Sequence, residues 1–158
     1  TRIRQPRQTG QSPFDLIIID LPDPHHESLA KLYSVAFYKS LAHHLAPGGL
    51  ITVQLGSPFF ANRTYWSAIE TLKEAGFHVR PYHANVPSFG EWGFALASTT
   101  PVPHRRQRTV AGRFISPVVD ETLFTFPPDL RRKSPVRATT LARPYIVEYF
   151  NDDWRRWN

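Results

Sequence analysis

The sequence has no cysteine, no methionine and no long apolar run. Without cysteine the chain can form neither a disulfide scaffold nor a zinc site with thiolate ligands, and it has no cysteine nucleophile. No apolar segment approaches the roughly 20 residues of a membrane-spanning helix, and no signal-peptide pattern is evident. We therefore expect a soluble chain in the reducing cytoplasm. The missing methionine predicts a fragment, because translation starts with that residue.

Acidic residues are outnumbered by basic ones, and the imbalance is uneven along the chain. The net charge is +6, yet residues 12–100 carry five basic and seven acidic side chains. This slightly acidic body suits a cationic substrate. The excess of arginine lies in residues 1–13 and 101–158, and such clusters attract the phosphate of nucleic acids or lipid headgroups. Because no nucleic-acid-binding motif is present, a solvated basic surface without a specific partner is the favoured interpretation.

The segment Phe14–Pro24 organises the chain, because an apolar run ends there in two aspartates set among prolines. Residues 16–19 show no polar alternation, which predicts a parallel strand covered by helices. Pro22 cannot continue a strand ladder, so the chain leaves the sheet just after Asp20. Ligands of open α/β sheets bind beyond the carboxyl ends of the strands. Asp20 is therefore predicted to lie at a functional site.

The pattern after this strand predicts helices and strands in alternation. In chain order we expect a loop over residues 22–28, a helix from Ser34 to Leu45, a strand at Leu50–Gln54, a helix from Asn62 to Ala75, and strands at Phe77–Tyr82 and Gly93–Ser98. Ser34 and Asn62 are the expected N-caps, and Gly76 is the expected stop. The order predicts an α/β chain that forms the second half of a Rossmann-like sheet. No glycine-rich G-x-G-x-x-G turn is present, so the nucleoside-binding half is missing.

Three regions are predicted along the chain. Residues 1–13 form a flexible lead-in, residues 14–100 form the folded part, and residues 101–158 form a proline- and arginine-rich extension that lies over it. Within the extension we expect short helices near Asp120–Phe124 and Asn151–Trp157. The first strand would be an exposed apolar edge, which invites pairing with another chain. A homo-oligomer is therefore one expectation.

Several motifs together resemble the polyamine aminopropyltransferase, or spermidine synthase, family. They are the D-x-x-D-P motif Asp20-Leu21-Pro22-Asp23-Pro24, the pair Phe37-Tyr38, the turn Ala46-Pro47-Gly48-Gly49, and the block Val86–Phe94. The resemblance implies that residues 14–100 are the C-terminal half of an adenosylmethionine-dependent transferase domain. The Leu-Pro pair between the aspartates looks most like the bacterial branch that is fused behind a membrane-spanning region. The parent protein is then expected at the inner membrane, facing the cytoplasm.

The resemblance implies transfer of an aminopropyl group from decarboxylated S-adenosylmethionine, as co-substrate and without a further cofactor, to a diamine such as putrescine. The products would be spermidine and methylthioadenosine. Asp20 matches the family's base, which takes the proton of the attacking amine. Asp23 would hold an ammonium group of the substrate and Gln54 would contact the diamine. Trp92 and Tyr33 would line its aliphatic part. Without the nucleoside side of the site, the chain alone is expected to be inactive.

Each of these five residues also has a purely structural interpretation. Asp20 and Asp23 could cap the loop, as aspartates after strands often do. Gln54 could satisfy backbone groups at the strand end, and Trp92 and Tyr33 could belong to the core or its rim. These alternatives stay open at the level of sequence.

The sequence also departs from the family, and other functions stay open. His25-His26-Glu27-Ser28 replaces a Gly-Pro-Ala type segment, and Val86 replaces a tyrosine, so the preferred diamine is undetermined. The adjacent histidines predict no metal site, because neighbours point apart and a third ligand is not evident. One alternative is an S-adenosylmethionine-dependent methyltransferase, whose strand ends carry a related D/N-P-P motif. The other is a non-catalytic basic binding module.

Overall fold

Among the described residues, four strands form one mixed sheet at the centre of the fold. The computed structural model describes residues 12–102 and 116–157. The elements are β1 Phe14–Ile19, α1 Glu27–Ala30, α2 Val35–Ala42, β2 Leu45–Gln54, α3 Asn62–Glu74, β3 His78–Val86, β4 Gly90–Ser98, α4 Pro117–Thr122 and α5 Tyr145–Trp154. The strand order is β1-β2-β4-β3, with β1 and β2 parallel and the other neighbours antiparallel. This is the α/β order of elements that the sequence predicts.

The alternation of side chains along β2 gives the sheet two different faces. Ile51 and Val53 are fully buried and belong to the core that includes the apolar side of α3. Thr52 and Gln54 are only partly buried and, because side chains alternate along a strand, they point to the opposite face. One face therefore carries the core, and the other is free to form a pocket. In the described ranges no helix is long and apolar enough to cross a bilayer.

The start of β2 differs from the sequence prediction. The predicted helix through Leu45 is wrong, because Leu45 already pairs with Phe14 of β1. The next pair after Phe14 and Leu45 is Leu16 with Leu50, so β2 is longer than β1 between these two pairs. The extra stretch of β2 contains the Pro47–Gly49 turn, which forms an irregularity within the strand. The spacing of Leu41 and Leu45 favours a helix, but the pairing of Leu45 with Phe14 places this residue in a strand.

The amino ends of α2 and α3 show why one predicted cap is correct and the other is not. Ser34 caps α2, since its hydroxyl accepts a hydrogen bond from Phe37 N at 3.2 Å. Asn62 is instead the first residue of α3. Its amide oxygen, the atom that a cap would use, accepts from Lys133 N at 3.2 Å, and its amide nitrogen donates to the carbonyls of Pro58 and Arg131 at 2.9 and 3.0 Å.

The helix α5, which belongs to the extension, supplies the cap that α3 lacks. The Asp153 carboxylate is buried and accepts hydrogen bonds from Thr64 N, Thr64 Oγ1 and Arg63 Nε at 3.1, 3.2 and 3.1 Å. Ala61, at the N-cap position, has no side chain that could do this. A negative charge also suits the positive end of the helix dipole. The extension is thus part of the core structure.

The extension also covers the outer edge of the sheet. His83 N, on the edge strand β3, donates to the Leu123 carbonyl at 2.9 Å. Phe124 packs on Tyr82 at one face of the strand, while Phe126 packs on the His83 ring at the other. At His83 the edge strand is therefore bonded to the extension and cannot also pair with another chain.

Removing the Asp153 carboxylate should destabilise the fold strongly. We expect Asp153→Ala to lower the free energy of unfolding by about 3 kcal/mol, because it leaves the Thr64 amide unpaired in the interior and removes the buried one of the two carboxylates that pair with Arg63. Urea unfolding measures the loss. The matched control is Asp152→Ala, which removes a more exposed partner of Arg63 and should cost less than about 1 kcal/mol. Equal losses in both variants would contradict the capping role.

Three tyrosine side chains in the described part of the chain are buried, namely Tyr33, Tyr38 and Tyr65. Burial is the main cause that raises the pKa of each hydroxyl above its usual 10.0. The folded chain keeps these protons above pH 10, whereas the unfolded chain releases them there. Stability is therefore complete below about pH 10 and falls as the pH rises above it.

Replacing Tyr38 should reduce this alkaline loss without weakening the fold. The Tyr38 hydroxyl has no hydrogen-bond partner among the described residues. We expect Tyr38→Phe to match or exceed the parent at pH 7, by up to about 1 kcal/mol, and to lose less stability above pH 10. Tyr65→Phe is the control: it loses a 2.9 Å hydrogen bond to the Phe94 carbonyl and should be less stable at pH 7 by about 1 kcal/mol. Urea unfolding at a series of pH values measures the stability of both variants. A Tyr38→Phe variant that is less stable than the parent at pH 7 would contradict the absence of a hydrogen-bond partner for the Tyr38 hydroxyl in the described ranges.

Candidate active site

Three of the predicted site residues meet beyond the carboxyl ends of β1 and β2. Ile19 pairs with Val53 in the parallel ladder, so the next residues, Asp20 and Gln54, lie side by side. Oriented by its partners, the Gln54 amide donates through its nitrogen to Asp20 Oδ1 at 2.9 Å and accepts through its oxygen from Trp92 Nε1. A carboxylate, an amide and an indole therefore form one hydrogen-bonded chain.

A pocket of about 570 Å³ opens beside this chain of hydrogen bonds. Asp20 and Gln54 provide polar groups, and Trp92, Phe89 and other aromatic side chains provide apolar walls. On the β1 side the pocket is open to solvent, since Ile18 is 72% exposed. Apolar walls with a carboxylate suit an alkyl chain that carries a cationic end.

The loop after β1 is held in place by Tyr33, which lies in a 3₁₀ turn directly after α1. The Tyr33 hydroxyl donates to the Pro22 carbonyl at 2.9 Å, and the ring is buried. Burial raises its pKa, and the nearby charges of Asp23 and Asp20 raise it further. The helix α1 begins inside the segment over residues 22–28 that the sequence predicts to be a loop. Neither Tyr33 nor Asp23 lies among the described residues of the pocket wall. Tyr33 instead holds the loop after β1 through its hydrogen bond to the Pro22 carbonyl.

Asp23 lies at the surface with His25 beside it. The Asp23 carbonyl accepts a hydrogen bond from His25 N at 2.9 Å, and the His25 ring nitrogen Nδ1 lies 2.9 Å from the same oxygen. Partial burial raises the pKa of the Asp23 carboxyl above its usual 3.8, and a positive charge on His25 opposes this. No group of three or more metal-ligating side chains comes together in residues 12–102 and 116–157.

The two hydroxyl-bearing residues of the pocket wall, Thr52 and Tyr82, are not among the site residues that the sequence predicts. Thr52 could have been found, because it lies two residues before Gln54 and a strand repeats its faces every second residue. Tyr82 could not, since its place beside the pocket depends on pairing with Phe94 of β4. That register is a property of the tertiary structure.

A comparison with known protein families finds a match over more than half of the chain. The spermine/spermidine synthase domain matches residues 5–107. The chain belongs to this family. The predicted resemblance to the spermidine synthase family is thus confirmed, whereas the membrane-fused branch stays a prediction.

Curated members of the family are similar along almost the whole chain. Polyamine aminopropyltransferase 2 of Ralstonia nicotianae is 46% identical over 149 residues, which are 93% of this chain and 29% of that protein. Polyamine aminopropyltransferase 1 of Streptomyces coelicolor is 46% identical over 158 residues, 98% of this chain and 29% of that protein. The polyamine aminopropyltransferase of Mycobacterium tuberculosis is 43% identical over 144 residues, 89% and 27% of the two chains. The chain spans less than a third of the length of these relatives.

A solved structure supports the fold. The crystal structure of spermidine synthase from Thermotoga maritima superposes with a TM-score of 0.59 at 22% identity, covering 73% of this chain and 42% of that one. The predicted Rossmann-like sheet is confirmed by this likeness. The roles of the individual site residues stay predictions.

The electrostatic relation between Asp23 and His25 can be measured. We expect His25→Ala to raise the pKa of the Asp23 carboxyl further, because a histidine is positively charged in the acidic range where carboxyls titrate. Carbon NMR of the carboxyl group follows the titration. Lys31→Ala, which removes an exposed cation after α1, serves as the control and should leave the midpoint unchanged. A midpoint at or below 3.8 in the parent chain would contradict the burial of this carboxyl.

Proposed function

We propose that the chain carries the acceptor side of an aminopropyltransferase active site. The reaction would transfer an aminopropyl group from decarboxylated S-adenosylmethionine to a diamine such as putrescine, giving spermidine and methylthioadenosine. The observation that carries the proposal is the hydrogen-bonded group of Asp20, Gln54 and Trp92 beside an aromatic pocket. The relatives named polyamine aminopropyltransferase support the same reaction class.

The chemistry requires a base, because a protonated amine has no lone pair with which to attack. With a lysine-like pKa of about 10.4, deprotonation at pH 7 costs about 4.6 kcal/mol. In the proposed reaction the amine nitrogen forms a bond to the carbon beside the sulfonium, the carbon–sulfur bond breaks, and Asp20 takes the proton. Gln54 holds Asp20 Oδ1. No described residue donates to Oδ2, so that oxygen is available to accept the proton.

The other site residues would bind and orient the diamine. Asp23, on the same loop but outside the pocket wall, is proposed to hold the ammonium group at the reacting end of the diamine, beside Asp20. Trp92 is proposed to pack against the alkyl chain. Gln54 would contact the substrate while it orients Asp20. Tyr33 is proposed to act by holding the loop that carries both carboxylates, since its hydroxyl bonds the Pro22 carbonyl.

The donor side of the site is proposed to come from residues that this sequence does not include. The relatives are more than three times as long as the matched part, and the chain has no glycine-rich turn for a nucleoside. The apolar edge β1, with Ile18 exposed, is available for a further strand or a second copy. Decarboxylated S-adenosylmethionine is the only co-substrate that the proposal requires. A membrane-anchored parent that faces the cytoplasm remains a prediction from the Leu-Pro pair.

Replacing Asp20 should abolish transfer. We expect Asp20→Asn to lower kcat by about 100-fold or more, because the amide cannot accept the proton. The assay uses this chain and the full-length product of its gene, with decarboxylated S-adenosylmethionine and putrescine, and detects spermidine by mass spectrometry. Asp15→Asn, an exposed carboxylate near the other end of β1, is the control and should keep full activity.

Two results would overturn the proposal. Turnover by Asp20→Asn within a few-fold of the parent would remove Asp20 as the base. A product heavier by a methyl group, formed with S-adenosylmethionine as donor, would identify a methyltransferase instead.

A further inference from the structure

We infer that Thr52 and Tyr82 form a second polar end of the acceptor pocket and recognise the distal nitrogen of the amine substrate. The inference rests on the proposed function. Thr52 Oγ1 and the Tyr82 hydroxyl are 3.0 Å apart and hydrogen-bonded, and both residues line the pocket that Asp20 lines. We call these two groups the hydroxyl pair.

The hydroxyl pair lies at a defined depth below Asp20. Ile18 and Thr52 are paired in the parallel ladder. Asp20 and Gln54 each lie two residues further along the same strands and are therefore also opposite each other. Two residues of a strand span about 6.6 Å. The nitrogens of an extended four-carbon diamine are about 6 Å apart, from standard bond lengths. A diamine with one nitrogen at Asp20 can therefore place the other at the hydroxyl pair.

The chemistry of this second end suits an ammonium group that does not react. One hydroxyl of the pair donates to the other, and lone pairs remain on both oxygens to accept hydrogen bonds from an ammonium. The ring of Phe94, stacked on Tyr82 at 5.2 Å, adds an aromatic face that attracts cations. Among the described lining residues the charged one is Asp20. The base thus acts on one nitrogen only, and the other is held without a base beside it.

Tyr82 is held in this position by the extension. Its ring lies between Phe94 of β4, at 5.2 Å, and Phe124, at 5.6 Å between ring centroids. Phe124 is in turn covered by the Arg80 guanidinium at 3.6 Å. Phe124 is therefore a positioning residue for the Tyr82 hydroxyl.

The experiment compares putrescine with n-butylamine, which has the same alkyl chain and lacks the distal nitrogen. The kcat/KM of aminopropyl transfer is measured for both amines with the full-length gene product, and binding of both to this chain is measured by calorimetry. We expect the preference for putrescine over butylamine to fall about tenfold or more in Tyr82→Phe and in Thr52→Val, with butylamine little changed. Each variant keeps the shape of its side chain, and Thr52→Val tests the inference if Tyr82→Phe does not fold. Tyr145→Phe, on α5 and outside the pocket, should keep the preference of the parent.

Each result decides a different point. An unchanged preference in both hydroxyl variants would overturn the inference while leaving the proposed function intact. An equal fall for both amines would also overturn it, since the hydroxyl pair would then only support the structure. If the parent transfers an aminopropyl group to neither amine, the proposed function fails and the inference fails with it.

Discussion

The parallel pairing of β1 with β2 is the constraint on which the site depends. Because two neighbouring strands end at the same level, the next residue of each, Asp20 and Gln54, is brought within hydrogen-bond distance without any special loop. The antiparallel strand β4 then brings Trp92 to the same group. Any shift in this register by one residue would turn Gln54 to the other face of the sheet.

The face of the sheet opposite the pocket makes that register rigid. Gly93 lies directly against Tyr65 of α3, and a Cβ atom at this position would overlap the Tyr65 ring. The Tyr65 hydroxyl bonds the carbonyl of Phe94 at 2.9 Å. The helix α3 is thus fixed to β4 within two residues of Trp92. Only a few atoms separate the packed core from the group of Asp20, Gln54 and Trp92.

The parts of the structure that could be predicted are those with a local cause. The strand before Asp20 is predictable because an apolar run ends at prolines, and the cap Ser34 because its hydroxyl reaches a backbone amide three residues ahead. The sequence predicts Leu45 in a helix because it lies four residues after Leu41, whereas its pairing with the distant residue Phe14 places it in β2. The place of Tyr82 cannot be predicted for the same reason, since it depends on β4 and on the extension.

The segment around Phe124 contacts the pocket wall from outside, while the Asp20 carboxylate lies at the opposite end of the pocket. In the reaction that we propose, bond making and choice of acceptor would be carried by different parts of the chain. A substitution in the extension would then alter which amine fits without disturbing the proposed base. Such a division gives an enzyme room to change its substrate over evolution, or in the laboratory, by changes outside the sheet.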